Sequence, residues 1–236
     1  MNLVDRAAAS GIRTLARILL RIEDAPLSRV PAQGPLILVA NHINFLDIPV
    51  LYTHLRPRPM TALAKAETWD NPILSYLFNM GGAIPLRRGE ADSTALRRGL
   101  EALQAGQILG LAPEGTRSND GRLQRGHPGI VLVALRSGAP LMPVVLYGHE
   151  QCRNNLRRLR RTDCHVVVGD PFHIDVDGAK VTHELRQRVT DEIMYQLAAL
   201  LPPAYRGCYS DLTAATADSL RFPAGASSNL IRAGPA

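Results

Sequence analysis

From Pro31 onward the chain alternates short apolar runs of strand length with segments patterned for helices, and this rhythm limits the folds open to it more than any other feature. The runs PLILVAN (35–41), MTALAK (60–65), AIPL (83–86), QILGL (107–111), LMPVVLYG (141–148) and CHVVVGD (164–170) are almost continuously apolar, as strands buried on both faces must be. Between them lie helical patterns: one beginning near Asp47, one over 71–82, one capped by Asp92 with Leu96, Leu100 and Leu103 on a single face, and one over 128–138. A last helix begins at Thr182 and carries Leu185, Val189, Ile193, Leu197 and Leu200 at helical spacing. Strands separated by helices predict an α/β fold with a largely parallel or mixed central sheet flanked by helices. At 236 residues and 46% hydrophobic, the chain can bury one sizeable core, and wholesale disorder is excluded.

The sequence divides into three parts: an N-terminal amphipathic segment (1–30), a main domain (31–210) and an Ala/Ser/Thr/Gly-rich tail (211–236) predicted to be loosely ordered. Placed on a helix, residues 1–22 gather Arg6, Arg13, Arg17 and Arg21 in one sector, opposite Val4, Ala8, Ile12, Leu15, Ile18, Leu19 and Ile22. Such a helix either lies in a membrane interface or docks on its own domain. Its arginines interrupt the apolar run that a signal peptide needs. No stretch reaches the roughly 20 apolar residues of a membrane span.

The net charge of +6 points to anionic partners, and Lys65 and Lys180 are the only lysines, so arginine supplies the rest. Arg153–Arg161 packs five arginines into nine residues, a loop or a short surface helix. Aromatic content of 5% and the lack of any nucleic-acid-binding signature argue against nucleic acid. Cys152, Cys164 and Cys208 lack the spacing of a zinc site or redox pair.

Chemistry concentrates where strands end. His42 leaves the first buried strand and Asp47 follows five residues later, where the chain turns into a helix. A carboxylate there can hold one ring nitrogen and leave the other as a base, although a structural or capping role uses the same spacing. With no Gly-x-Ser-x-Gly elbow and no cysteine in a comparable loop, the nucleophile would be a substrate hydroxyl. Pro113-Glu114-Gly115-Thr116-Arg117-Ser118 follows another strand, and Arg87-Arg88 a third. Arg117 can grip a phosphate bidentately while Gly115 allows close backbone approach. These residues therefore meet at the carboxyl edge of the sheet, where open α/β sheets bind ligands.

Asn41–Asp47 (NHINFLD), Gly82–Arg88 (GAIPLRR), Pro113–Ser118 (PEGTRS) and Leu141–Leu146 (LMPVVL) resemble the four blocks of the lysophosphatidic acid acyltransferase, or glycerolipid acyltransferase, family. Lys65-Ala66-Glu67 is similar to the family's lysine-x-glutamate segment, and LLPPAYRGCYS (200–210) to its closing stretch. Ala112, Pro85 and the segment LQRG (123–126) depart from the usual pattern.

The resemblance implies an acyltransferase that moves a fatty acyl group from acyl-CoA or acyl carrier protein to the free hydroxyl of 1-acylglycerol 3-phosphate, giving phosphatidic acid. The same chemistry on glycerol 3-phosphate, a lyso-aminolipid or a glycolipid is the alternative. His42 and Asp47 are then the catalytic pair. Arg88 and Arg117 bind the acceptor phosphate, Glu114 a glycerol hydroxyl, and Gly115, Thr116 and Lys65 complete the substrate contacts. No metal or cofactor is implied beyond the thioester co-substrate. The N-terminal helix becomes a membrane-docking element, and the protein is expected to sit peripherally on the cytoplasmic face of the membrane.

Overall fold

The computed structural model describes residues 3–87 and 92–232. Helix α1 (Leu3–Leu19) runs into strand β1 (Leu20–Glu23), and β2 (Leu36–Ala40) leads to α2 (Asp47–His54). Strand β3 (Met60–Lys65), α3 (Pro72–Met80), β4 (Ile84–Leu86), α4 (Ser93–Gln104) and β5 (Ile108–Leu111) follow. Then come α5 (Gly129–Ser137), β6 (Leu141–Tyr147), α6 (Cys152–Arg157), β7 (Thr162–Val168), β8 (His173–Ile174), α7 (His183–Leu200), β9 (Leu220–Arg221) and α8 (Asn229–Arg232). Seven strands form one sheet in the order β1-β7-β6-β2-β5-β3-β4, and every neighbouring pair is parallel except β6 with β7. The expected α/β architecture with a largely parallel sheet is the observed one.

Alternation along β2 divides the core. Ile37 and Val39 point into a cluster formed with α4, α5 and α7, whereas Leu36, Leu38 and Ala40 point into one formed with α2 and the chain around Leu27 and Val30. Four of these five side chains are essentially inaccessible, each contributing about 1.5–3 kcal/mol of burial. Because β2 is central and β5 and β6 flank it in parallel, the loops leaving β2, β5 and β6 emerge together at one edge.

The N-terminal segment differs from its expected form in two respects. The helix stops at Leu19, and Leu20–Glu23 joins the sheet as an edge strand parallel to β7. Leu20 is buried in the second core cluster, and in register with β7 the pairs Arg21–Asp163 (3.2 Å) and Glu23–His165 (2.8 Å) face each other, so the first 30 residues are part of the domain rather than an appendage. Helix α1 contacts α2 and buries the small side chains Ala9 and Ala16, leaving Val4, Leu15 and Ile18 outside at 64%, 56% and 61% exposure. The arginine-rich segment forms the short helix α6 followed by a turn.

The tail is the clearer correction. Its few apolar residues predicted loose order, yet Leu220 is buried, and β9 pairs with β8. Polar groups account for the rest: Gln196 of α7 accepts from the Asn229 amide (2.8 Å) and bonds the Ser228 hydroxyl, and Glu192 accepts from the Ser219 amide (2.9 Å). Ending the chain at Ser210 strips buried Glu192 and Gln196 of these partners. Each buried polar group left without a partner costs about 1–3 kcal/mol, so the melting temperature should fall by at least about 4 °C. A thermal melt identical to that of the full chain would contradict this assignment.

Candidate active site

The site starts from the end of β2. Asn41 is buried, donates to the Leu146 carbonyl (2.8 Å) and accepts from the Leu146 amide (2.9 Å), so its side chain extends the β2–β6 pairing by one step. His42 then leaves the sheet with its ring partly open to solvent, at 21% exposure. Asp47, the first residue of α2, is buried beneath it. Its Oδ2 accepts from His42 Nδ1 (2.6 Å), the Ile43 amide (2.8 Å) and the Asn44 amide (3.0 Å), while Oδ1 accepts from His149 Nε2 (2.5 Å). Burial works against ionisation, but the hydrogen bonds from His149 and His42 prevail and hold the Asp47 carboxyl below the usual range. Helix α2 adds favourable dipole at its N-terminus. An anionic Asp47 fixes the Nδ1–H tautomer of His42, which turns the lone pair of Nε2 towards a substrate.

The loop after β5 is laced to the His42 loop. The Ser118 amide donates to the His42 carbonyl (2.8 Å) and the Asn119 amide to the Ile43 carbonyl (3.0 Å). Glu114, also buried, accepts from the His42 amide at Oε1 (2.7 Å) and the Gln124 amide at Oε2 (2.9 Å). Gly115 turns the loop at φ +65°, and a Cβ there would lie 2.9 Å from His127. Thr116 and Arg117 are exposed beside it. Farther along, Leu123 is gripped by the segment that resembled a closing stretch: its amide donates to the Tyr205 carbonyl (2.9 Å) and its carbonyl accepts from the Cys208 amide (3.1 Å). Gly207 makes this possible, since a Cβ at that position would stand 2.0 Å from the Leu123 carbonyl oxygen.

A profile of the acyltransferase family matches residues 21–147, just over half of the chain, and spans both loops. The chain belongs to the acyltransferase family. It is 35% identical over 180 residues to a chloroplastic 1-acyl-sn-glycerol-3-phosphate acyltransferase of Arabidopsis thaliana, covering 73% of this chain and 48% of the relative. It is likewise 35% identical over 174 residues to a lyso-ornithine lipid O-acyltransferase of Pseudomonas aeruginosa, covering 66% of each. The chain thus spans about half to two thirds of the length of these curated relatives. Its fold is similar to that of the 1-acyl-sn-glycerophosphate acyltransferase PlsC from Thermotoga maritima, with a TM-score of 0.58, 22% identity, and coverage of 80% of this chain and 77% of that one.

Within the family frame the expected residues separate by exposure. His42, Asp47 and Glu114 form one connected cluster. Lys65 ends β3, two strands from β2 along the same edge, and pairs with Glu67 at 3.2 Å. Arg88 lies outside the described residues. Glu114 was expected to meet an acceptor hydroxyl. In the fold each of its oxygens accepts from a backbone amide, and its geometry is that of a brace between the two loops. Asn41, Gln124 and His149 were not among the expected site residues. Asn41 stands inside one of the four blocks and Gln124 in the segment LQRG that departs from the family pattern, whereas nothing local in the sequence marks His149.

Burial pushes the Glu114 carboxyl up to about 7 against the opposing pull of the Gln124 and His42 amides. The folded state therefore holds this proton more tightly than the unfolded chain, so the associated stability is complete below the ordinary glutamate range and is lost as pH rises through about 7, on the order of 3 kcal/mol in all. Compared with Glu114→Gln, which does not titrate, the wild-type melting temperature should fall progressively between about pH 5 and pH 8. A constant difference between the two melts across that interval would show that Glu114 does not hold a proton in the fold.

Proposed function

We propose that this protein transfers a fatty acyl group from a thioester donor, acyl-CoA or acyl carrier protein, to the free hydroxyl of 1-acylglycerol 3-phosphate, giving phosphatidic acid. The observation that carries the reading is the His42 Nδ1–Asp47 hydrogen bond at 2.6 Å on a partly open histidine at the carboxyl edge of the sheet. His42 Nε2 takes the hydroxyl proton as the acceptor oxygen attacks the thioester carbonyl. The tetrahedral adduct then collapses, the C–S bond breaks, the ester forms, and the departing thiolate receives the proton from His42. A thiolate leaves readily, so the step requires neither a metal nor a covalent enzyme intermediate. Positioning and the base supply the acceleration.

Arg117 and Arg88 hold the acceptor phosphate in this reading, with Thr116, Gly115 and Lys65 lining its approach. Glu114 acts by fixing the backbone of His42. The naming of a lyso-ornithine lipid acyltransferase among the relatives makes an amino-acid-containing lyso-lipid the second acceptor to consider. Purified protein is mixed with acyl-CoA or acyl carrier protein donors and with lysophosphatidic acid, lyso-ornithine lipid and glycerol 3-phosphate, and free thiol is followed. Lysophosphatidic acid should give the highest kcat/KM, His42→Ala should lose at least about 100-fold, and Arg117→Ala should raise the acceptor KM by about 10-fold or more. A preference for lyso-ornithine lipid would reassign the acceptor, and full activity in His42→Ala would remove the proposed base.

No helix among the described residues is long and apolar enough to cross a membrane. The reading places the protein peripherally on the cytoplasmic face, with Val4, Leu15 and Ile18 of α1 in the lipid interface and Arg6 and Arg17 among anionic headgroups, each arginine contributing about 1 kcal/mol. Because those three apolar side chains are exposed, changing them to Ser should abolish co-sedimentation with anionic vesicles without lowering the melting temperature. Retained sedimentation, or a destabilised domain, would assign the face to another role.

A further inference from the structure

We propose that His149 is a positioning residue for the acyl transfer: its buried ring shares the Asp47 carboxylate with His42 and ties the oxygen that His42 does not use, so that the other oxygen stays aimed at His42 Nδ1. The inference rests on the reading of His42 as the base. Nothing in the motif blocks points to His149, which lies beyond the last of them, in the turn after β6.

The geometry is specific. His149 is completely buried, and its Nε2 stands 2.5 Å from Asp47 Oδ1, the carboxylate oxygen that His42 does not use. Its backbone carbonyl accepts from the Asn44 side chain (3.1 Å), so the turn after β6 is fastened to the His42 loop by main chain and side chain together. The ionisable groups facing the ring are Asp47, with His42 beyond it, from the loop between β2 and α2, and the Cys164 thiol from β7. Glu150, next in its own turn, accepts from the Tyr205 hydroxyl at 2.9 Å. Burial alone would strip His149 of its proton. The Asp47 hydrogen bond, the Cys164 contact and the Asp47 charge outweigh that and raise its pKa to about 10.

The consequence for catalysis is geometric. With Oδ1 tied to His149, Oδ2 stays aimed at His42 Nδ1, and the His42 ring is held with Nε2 free for a substrate.

Two variants and two readouts test this. His149→Gln places a neutral amide donor where Nε2 stands, and His149→Leu removes the donor. The readouts are the separate effects on kcat and KM and the thermal melt. His149→Leu should lose about 10-fold or more in kcat, part of the 10²–10⁴-fold that a positioned base contributes, while KM for donor and acceptor stays within about 2-fold, and His149→Gln should recover most of that loss. An unchanged kcat in a His149→Leu protein that melts like wild type overturns the proposal, as does a uniform loss that tracks a lowered melting temperature in both variants. His42→Ala run alongside keeps the two claims apart, because activity in that variant removes the base itself, whereas an inactive His42→Ala with an unchanged kcat in His149→Leu removes only the role of His149.

Discussion

A single buried carboxylate organises this site. Asp47 gathers hydrogen bonds from two histidine rings and two backbone amides, and those donors come from the β2–α2 loop and from the turn after β6. Hydrogen bonds to a charged group contribute about 1.5–3 kcal/mol each, while an ionised carboxylate buried without them would cost several kcal/mol, so the loops are held where the carboxylate can be satisfied. The orientation of the His42 ring follows from that requirement. A histidine on a loop is ordinarily free to change rotamer; this one is fixed at Nδ1 by Asp47 and at its backbone by Glu114 and Ser118.

Glu114 repeats the device on the neighbouring loop, with a different balance. Each of its oxygens accepts from a backbone amide and burial raises its proton affinity, whereas Asp47 accepts from two imidazoles and its affinity is lowered. Two buried carboxylates, one after β2 and one after the neighbouring β5, thus serve one histidine: one sets the ring and the other the main chain beneath it. The residues left exposed on this scaffold, Thr116 and Arg117, are those free to meet a substrate. Helix α1 follows the same division, docking through alanines and keeping larger apolar side chains outward.

The parts of this arrangement legible in the sequence were those set by local pattern. Continuous apolar runs marked the strands because both faces of a parallel sheet are covered, and His42 and Asp47 stood out because a short spacing across a strand-to-helix turn can close a hydrogen bond. What could not be read arises from contacts distant in sequence. His149 meets Asp47 across 102 positions, and neither neighbour of His149 announces it. Leu20–Glu23 continues a helical pattern without interruption, and it is the ladder with β7, the burial of Leu20 and the pairs Arg21–Asp163 and Glu23–His165 that draw it into the sheet. The tail carries few large apolar residues, the usual mark of loose order, whereas Gln196 and Glu192, polar residues on a helix interior, are what retain it.

The central claim, that His42 and Asp47 act as one catalytic unit, is tested most directly by a double-mutant cycle in kcat/KM with acyl-CoA and lysophosphatidic acid, using His42→Ala, Asp47→Asn and the two combined. Groups that work only together lose their function once, so the combined variant should be no slower than His42→Ala alone. Losses that multiply, with the combined variant slower than His42→Ala by the full factor measured for Asp47→Asn, would mean that Asp47 contributes by a route that does not pass through His42 and would contradict the account.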